Sequence, residues 1–284
     1  MPHTKQQLQV FLEQAGIRPR HQWGQNFLID LNLMHLIVDQ AGIEPAQTIL
    51  EVGCATGSLT GLLAQQAGRV VAVDIDPHLI KVAREELREQ EHVQFIHADV
   101  LASKHVIAAE VLQALPQKPD ETYRLVANLP YQVACPLIMN LLVLKHPPDG
   151  MVVTVQEEVA LRMVAEPGSK EYGSLSILLQ ICGQGKIIRK LPARAFWPEP
   201  QVHSAIYAWQ PHESDTPNRR ERLALQELVE LLLGQRRKTI RSLLSRKYPA
   251  DMVDRLLRNQ QLEPDRRAET LTPAQFLTLS RALK

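Results

Sequence analysis

The chain has 284 residues, of which 45% are hydrophobic and 22% are charged, and its formal net charge at pH 7 is +1. Such a composition fits a soluble globular protein with one large domain and one small one. No apolar run approaches the ~20 residues that a membrane-spanning helix needs, and residues 1–9 lack the apolar stretch of a signal peptide, so we exclude a membrane protein and expect a cytoplasmic one.

Short apolar, β-branched runs alternate with stretches of helical periodicity between residues 48 and 155. The short runs predict strands over residues 48–52, 69–74, 93–97, 124–127 and 151–155. The stretches between them predict helices over residues 58–67, 77–90, 106–115 and 135–144. This βαβα order is typical of a parallel sheet with helices on both faces, which predicts an α/β fold.

The C-terminal third of the chain has a different pattern. Two further predicted strands, residues 185–191 and 202–209, flank a proline-rich connection and suit an antiparallel pair at one edge of the sheet. Residues 210–217 are polar and predict a linker, and four segments with helical periodicity follow it, residues 222–233, 239–246, 250–259 and 273–283. We therefore predict a Rossmann-like domain over residues 1–212 and a small all-helical domain over residues 213–284.

The ends of the first three predicted strands carry the residues of a nucleoside site. Gly53 opens a loop of small residues after the first strand, and Asp74 ends the second strand 21 positions later. A small residue lets the backbone approach a ligand, and a carboxylate at that strand end accepts hydrogen bonds from both ribose hydroxyls. Asp99 follows the third strand, where it could accept from an adenine amino group. A single aspartate is usually a helix N-cap or a solvated turn, but three suitable strand ends favour the site.

The loop after the first strand favours a cofactor without phosphate. It lacks the G-x-G-x-x-G pattern that brings a pyrophosphate to a helix N-terminus. S-adenosylmethionine is a nucleoside cofactor that needs no such cradle, so we expect it here.

The tetrapeptide Asn128-Leu129-Pro130-Tyr131 follows the fourth strand and predicts a catalytic site for an adenine amino group. That nitrogen is a poor nucleophile, because its lone pair is delocalised into the ring. The Asn128 side chain and the Pro130 carbonyl could accept its two hydrogens and turn the lone pair toward a methyl donor. Tyr131 could stack on a base swung out of its helix. By itself the tetrapeptide is equally compatible with an ordinary strand-to-helix turn.

Other segments decide between these alternatives, because together they resemble the ribosomal RNA adenine dimethyltransferase family, in particular its bacterial small-subunit type. The likeness runs from about Arg20 to Ala268. In chain order its segments are Gly24-Gln25-Asn26-Phe27-Leu28, Leu50-Glu51-Val52-Gly53, Asp74-Ile75-Asp76, Ala98-Asp99, Asn128-Leu129-Pro130-Tyr131, Gln156-Glu157-Glu158-Val159-Ala160, Tyr172-Gly173-Ser174-Leu175-Ser176 and Phe196-Trp197-Pro198-Glu199-Pro200-Gln201-Val202-His203-Ser204.

The resemblance implies an S-adenosylmethionine-dependent enzyme, monomeric by default. Its substrate would be two adjacent adenosines in a hairpin near the 3′ end of small-subunit RNA in a maturing ribosomal particle, each dimethylated at N6. An N-terminal segment, residues 18–30, would close over the cofactor. The implied cofactor-binding residues are Gln25, Asn26, Leu28, Gly53, Asp74, Asp99 and Asn128, and the implied base-binding residues are Asn128, Pro130, Tyr131 and Phe196, with Tyr131 and Phe196 on either side of the base.

The chain departs from the family pattern in the loop after Gly53. The family's usual Pro-Gly is replaced here by Cys54-Ala55, and alanine at a position with positive φ costs about 1 kcal/mol relative to glycine, which favours a different loop path. The departure leaves open a vestigial, non-catalytic ribosome-assembly factor. A large-subunit adenine methyltransferase of the macrolide-resistance type is a second alternative, although by resemblance those proteins are shorter and more basic. Gln132 also replaces the commoner asparagine, and residues 103–122 have no assigned role.

Positive charge is concentrated in the C-terminal part of the chain. From Thr216 onward there are 15 basic and 8 acidic residues, against 17 and 23 in the rest of the chain. This asymmetry indicates either a polyanionic partner or a solvated helical surface. Given the resemblance, we expect an RNA-binding set of basic side chains: Arg236, Arg237, Lys238, Arg241, Arg246 and Lys247. Arg266-Arg267 and, near the predicted active site, Arg18, Arg20 and His21 could add contacts.

The cysteines do not indicate a metal site or a disulfide. Cys54, Cys135 and Cys182 are odd in number and far apart, without the close spacing of zinc or redox motifs. We expect them to be small hydrophobic side chains and predict no metal.

Overall fold

The structure is a computed structural model that describes residues 5–14, 16–17, 19, 25–118, 121–214, 216–235 and 237–283. Positions 18 and 20–24 of the predicted closing segment lie outside the described residues. These positions include Arg18, Arg20 and His21. The same is true of Arg236 in the predicted RNA-binding set.

Strands and helices alternate through most of the chain. The strands are β1 (Phe27–Leu28), β2 (Thr48–Val52), β3 (Arg69–Asp74), β4 (Val93–His97), β5 (Leu101–Ser103), β6 (Val106–Ile107), β7 (Tyr123–Asn128), β8 (Met151–Gln156), β9 (Gly183–Leu191), β10 (Phe196–Trp197) and β11 (Ser204–Pro211). The α-helices are α1 (Lys5–Gln14), α2 (Leu31–Ala41), α3 (Ser58–Ala64), α4 (Pro77–Glu86), α5 (Ala109–Ala114), α6 (Ala134–Leu142), α7 (Glu157–Met163), α8 (Ser174–Cys182), α9 (Arg219–Leu233), α10 (Ile240–Leu244), α11 (Ala250–Asn259) and α12 (Pro273–Ala282).

The described strands form a mostly parallel seven-stranded sheet in the order β4-β3-β2-β7-β8-β11-β9. Strands β2, β3, β4, β7 and β8 pair in parallel, and β11 runs antiparallel to β8. Every residue of β2 is buried, because central parallel strands are covered by helices on both faces. The predicted α/β fold is therefore confirmed.

The direction of strand succession changes between β2 and β7. From β2 the chain continues to β3 and β4 on one side, and then returns to place β7 on the other side. The two strands pair through Thr48–Tyr123, Ile49–Arg124 and Leu50–Leu125, and their last residues are unpaired with each other. Such a switch point opens a crevice at the carboxyl ends of the strands, where ligands bind in sheets of this kind.

One predicted helix starts in the wrong place. Residues 106–115 were expected to be helical, but Val106 and Ile107 form β6, which pairs antiparallel with β5, and the helix α5 begins only at Ala109. The two β-branched side chains prefer the extended conformation, and the cross-strand pairing outweighs the local helical periodicity. Part of the 103–122 stretch is thus the second half of a hairpin.

The chain folds into two compact units. The first comprises the described residues among 1–141, 146–160 and 186–210, and it contains most of the sheet. The second comprises those among 142–145, 161–185 and 211–284. Its last segment starts near the predicted boundary at 212/213, but its two earlier segments were not anticipated from the sequence.

The second unit is helical. Helix α9 begins with a capping box, in which the Asn218 side chain accepts from the Glu221 N–H and Glu221 accepts in return from the Asn218 N–H. Helices α8 and α12 pack against α9. The buried Arg222 guanidinium of α9 donates to the carbonyls of Pro217 and Leu144. This contact explains why residues 142–145 belong to this unit.

None of the described helices combines the length and the apolar character that crossing a membrane would require.

Cys54 and Cys182 are buried and Cys135 is partly buried, as expected for small hydrophobic side chains.

Candidate functional site

A cavity lies at the carboxyl ends of β2, β3 and β7, within the first unit. Most of the predicted site residues line it: Gln25, Asn26, Leu28, Gly53, Asp74, Asp99, Asn128, Pro130 and Tyr131. The fold therefore brings together residues that are up to about a hundred positions apart in the chain. Their individual roles stay predictions.

Asp74 is held by two backbone N–H groups at the end of β3. Its Oδ2 accepts from Ala55 N at 2.9 Å and its Oδ1 accepts from Asp76 N at 2.9 Å. Burial raises the pKa of Asp74, while these hydrogen bonds partly offset the rise. Each carboxylate oxygen keeps a further lone pair for a ligand hydroxyl.

Gln25 is fixed by Asp76, a residue that the sequence patterns did not single out as part of the site. Gln25 Nε2 donates to Asp76 Oδ2 at 3.1 Å, and Asp76 Oδ1 accepts from His78 N at 3.0 Å to cap helix α4. The predicted closing segment is thus tied to the helix that follows β3.

Asp99 makes a local contact in addition to lining the cavity. Its Oδ1 accepts from Leu101 N at 3.0 Å, which is the turn-type hydrogen bond of an aspartate after a strand. The carboxyl is solvent-exposed. An interaction with an adenine amino group would use its remaining acceptor capacity.

Gly53 allows the loop after β2 to lie against the Asn128–Tyr131 turn. Its φ is +81°, and a Cβ at this position would lie 3.0 Å from the Pro130 ring and 3.4 Å from the Asn128 carbonyl oxygen. A larger residue would separate the two segments, so glycine is required for both its conformation and its size.

The Asn128 carboxamide is oriented by one hydrogen bond and has an unpaired oxygen. Its Nδ2 donates to the Asn26 carbonyl at 3.1 Å. Its Oδ1 is buried and has no hydrogen-bond partner among the described residues. A buried acceptor left unpaired costs about 1–3 kcal/mol, so this oxygen favours a ligand that donates an N–H. The Pro130 carbonyl already accepts from Val133 N at 3.2 Å and retains one lone pair.

The two predicted stacking residues are placed differently. Tyr131 is half-buried, lines the cavity, and its hydroxyl oxygen lies 2.8 Å from Ser204 Oγ. Phe196 is only 1% exposed, belongs to the hydrophobic core beside Leu28, and does not line the cavity. The structure therefore does not bring Phe196 to the site, and its stacking role stays a prediction that requires its side chain to turn outward.

Glu51 and Leu8 are among the residues that line the cavity without having been predicted as site residues. Glu51 of β2 is 1% exposed and accepts from Thr60 Oγ1 at 2.6 Å, and burial raises its pKa to about 8. Leu8 lies on helix α1, which was not predicted, and packs with Leu12, Phe27 and Leu79. The spacing of Leu8 and Leu12 by four residues was the available signal for α1.

Ala55 does not avoid the strained backbone conformation. Its φ is +51°, so the expectation that alanine would favour a different loop path is wrong. The Ala55 N–H is held by Asp74, and Gly57 N donates to the Cys54 carbonyl at 2.9 Å. These bonds compensate for a conformation that alanine adopts at a cost.

The predicted RNA-binding side chains lie in the second unit and fall into two groups. Arg241 makes a two-pronged contact with Asp254, at 2.6 and 2.9 Å, and Lys247 lies 3.3 Å from Glu227. Arg237, Lys238 and Arg246 are exposed and form no ion pair with the described residues. Acidic neighbours therefore neutralise the charge of Arg237, Lys238 and Arg246 less than that of Arg241 and Lys247.

Replacement of Ala55 by glycine should raise the free energy of unfolding by about 1 kcal/mol, because glycine adopts the left-handed conformation without strain. Urea unfolding of A55G and the parent protein measures the difference. Ala109→Gly, at the exposed start of α5, is the control and should lower stability or leave it unchanged. An A55G variant that is less stable than the parent would contradict the strain at position 55.

Glu51→Gln should change how stability depends on pH. The Glu51 carboxyl ionises near pH 4.5 in the unfolded chain and near pH 8 in the folded protein. Between these values only the unfolded chain has released the proton, so Glu51 lowers stability progressively as the pH rises from about 4.5 to about 8. Urea unfolding at pH 5, 6, 7 and 8 should show E51Q gaining stability relative to the parent at each step. Parallel curves would refute the raised pKa, and exposed Glu89→Gln is the control.

Comparison with known proteins identifies the family. The family described as "Ribosomal RNA adenine dimethylase" matches residues 16–284. "Ribosomal RNA small subunit methyltransferase A" of Geobacillus kaustophilus is 37% identical over 278 residues, covering 96% of this chain and 93% of that protein. The protein of the same name from Bacillus cereus is 36% identical over 286 residues, covering 99% and 96%.

Solved structures share the fold. A dimethyladenosine transferase from Plasmodium falciparum has a TM-score of 0.72 at 23% identity, covering 89% of this chain and 95% of that one. The 23S rRNA methyltransferase ErmE has a TM-score of 0.64 at 25% identity, covering 91% and 99%. The predicted Rossmann-like methyltransferase fold and the predicted family are both confirmed: this chain belongs to the ribosomal RNA adenine dimethylase family.

Proposed function

We propose that this protein uses S-adenosylmethionine to dimethylate the N6 amino groups of two adjacent adenosines in a 3′-terminal hairpin of small-subunit (16S) RNA during ribosome biogenesis. Its family and its relatives named as small-subunit methyltransferases, 36–37% identical over at least 96% of the chain, support this activity. The observation that carries the proposal is the buried Asn128 Oδ1, an acceptor without a partner among the described residues, in a residue that lines the cavity at the carboxyl ends of β2, β3 and β7.

The cavity residues fit the proposed cofactor. Asp74 has acceptor capacity for the ribose hydroxyls, Gly53 leaves the space that a Cβ would fill, and Gln25, Asn26 and Leu28 close the methionine end. Glu51 offers a buried carboxyl that would become an anion beside a positive charge. When bound, S-adenosylmethionine supplies an electrophilic methyl group on a positively charged sulfur.

The Asn128–Tyr131 turn would then activate the adenine. Asn128 Oδ1 and the free lone pair of the Pro130 carbonyl accept the two amino hydrogens and turn the nitrogen lone pair toward the methyl group. The hydrogen bond from Asn128 Nδ2 to Asn26 fixes the carboxamide before the base arrives. Tyr131 provides a ring on which the extruded base stacks.

The two alternative functions are less well supported. The relatives at 36–37% identity carry small-subunit names, whereas the large-subunit enzyme ErmE is 25% identical. A vestigial factor rested on Cys54-Ala55, yet the Ala55 N–H still binds Asp74 and the loop still approaches Pro130. An active enzyme that modifies small-subunit RNA agrees best with these contacts.

The helical region over residues 213–284 is the proposed RNA-binding domain. Its exposed basic side chains would follow a phosphate backbone in a pre-ribosomal particle, and we expect a cytoplasmic monomer that uses no metal. Arg237, Lys238 and Arg246 should contribute more than Arg241 and Lys247, whose charges already have acidic partners. Arg236 belongs to the same proposed set.

Asn128→Ala should abolish methyl transfer from labelled cofactor to undermethylated small subunits, since it removes the acceptor for the amino hydrogen. Asn140→Ala is a matched control, because Asn140 is at least as buried as Asn128 and its Nδ2 also donates to a backbone carbonyl at 3.1 Å, that of Lys104. We expect N140A to retain transfer and N128A to lose at least about a hundredfold in kcat. Equal activity of the two variants would refute the proposed mechanism.

Arg246→Gln should weaken RNA binding and reduce the slope of log affinity against log salt by up to about 1, the value for one lost phosphate contact. Arg241→Gln should have a smaller effect, because Asp254 already neutralises Arg241. Titrations of small subunits between about 50 and 200 mM salt test the difference. Arg255→Gln is the control and should leave the slope unchanged, since Arg255 pairs with Asp251 and lies outside the proposed RNA-binding set. A salt slope that R246Q leaves unchanged would exclude Arg246 from the interface.

A further inference from the structure

The structure assigns a positioning role to Ser204: its hydroxyl holds the Tyr131 ring in the orientation that receives the target base. This inference rests on the proposed function, because it concerns a residue that acts through Tyr131. Ser204 was not among the predicted site residues, and it reaches the site only through the fold.

The contact joins a turn to a rigid strand. Tyr131 begins the turn between β7 and α6, and its hydroxyl oxygen lies 2.8 Å from Ser204 Oγ, 73 positions later in the chain. Ser204 is the first residue of β11, pairs with Gln156 of β8, and is fully buried. The base-stacking side chain is therefore tied at its far end to the central sheet.

A hydroxyl contact at this position restricts the ring more than packing alone. Tyr131 is only half-buried, so part of its ring faces solvent and is not held by packing against other side chains. The tyrosine backbone fixes one end of the side chain, and the bond to Ser204 fixes the other. Burial raises the pKa of the Tyr131 phenol, which keeps its proton available for the hydrogen bond.

A ring that is already held in place costs less to order when a base stacks on it. Methyl transfer requires the amino nitrogen to lie within a few tenths of an ångström of its productive position. Tyr131 sets one plane of the base, while Asn128 sets the direction of its amino group. Loss of the tether should therefore slow the chemical step and leave cofactor binding unchanged.

The test is a double-mutant cycle with Ser204→Ala and Tyr131→Phe, each of which removes one of the two hydroxyls. We expect each single variant to lower kcat on undermethylated small subunits about tenfold, with the double variant no slower than either single one. The cofactor dissociation constant, measured by calorimetry, should stay within about twofold of the parent value. Ser280→Ala, a buried serine of α12, is the control and should leave kcat unchanged.

Two results would overturn the inference. One is an S204A variant with the kcat of the parent, and the other is a pair of effects that multiply in the double variant. If S204A does not fold, the kcat of Y131F alone tests the inference, because this variant keeps the ring and removes only the hydroxyl that contacts Ser204. A parent protein that transfers no methyl group would instead refute the proposed function, and the two failures are thus distinguishable.

Discussion

The site depends on the close approach of the segments at the ends of β2 and β7. Their parallel register ends at Leu50 and Leu125, although β2 continues to Val52 and β7 to Asn128. Beyond that point, the absence of a side chain on Gly53 lets the loop after β2 lie against the Asn128 carbonyl and the Pro130 ring. Glu51 and Asp74, at the ends of β2 and β3, line the same cavity as the Asn128 amide.

Desolvation determines the chemistry of the polar groups that line the cavity. Burial raises the pKa of both Glu51 and Asp74, so each carboxyl holds its proton more tightly than in water. A positively charged ligand would reverse this effect, because it stabilises the ionised carboxylates. The same burial makes the unpaired Asn128 Oδ1 costly until a donor arrives. Burial thus acts most strongly on the groups that a cationic nucleoside and an amine would satisfy.

The loop after β2 shows that a departure from a family pattern need not change the backbone. Ala55 keeps a positive φ because its N–H is bound to Asp74, which itself is fixed by Asp76. Strain of about 1 kcal/mol is no larger than the roughly 1–3 kcal/mol that an unpaired buried polar group costs, so the hydrogen bond to Asp74 can hold this conformation. The residue type at position 55 therefore affects the stability of the protein more than it affects the geometry of the site.

Sequence alone determined the central strands, because strands buried on both faces need continuous apolar runs, and residues 48–52 and 69–74 have the predicted bounds. The edge strand over residues 93–97, which is only partly buried, also has its predicted bounds. It also determined which polar residues end these strands. The tertiary structure decided the bonds from Asn128 to Asn26 and from Tyr131 to Ser204, which span 102 and 73 positions. It also placed Phe196 in the core and turned Val106 into a strand. The periodicity of a segment indicates which of its own residues are buried. The hydrogen-bond partner of a side chain depends instead on which strands become neighbours in the fold.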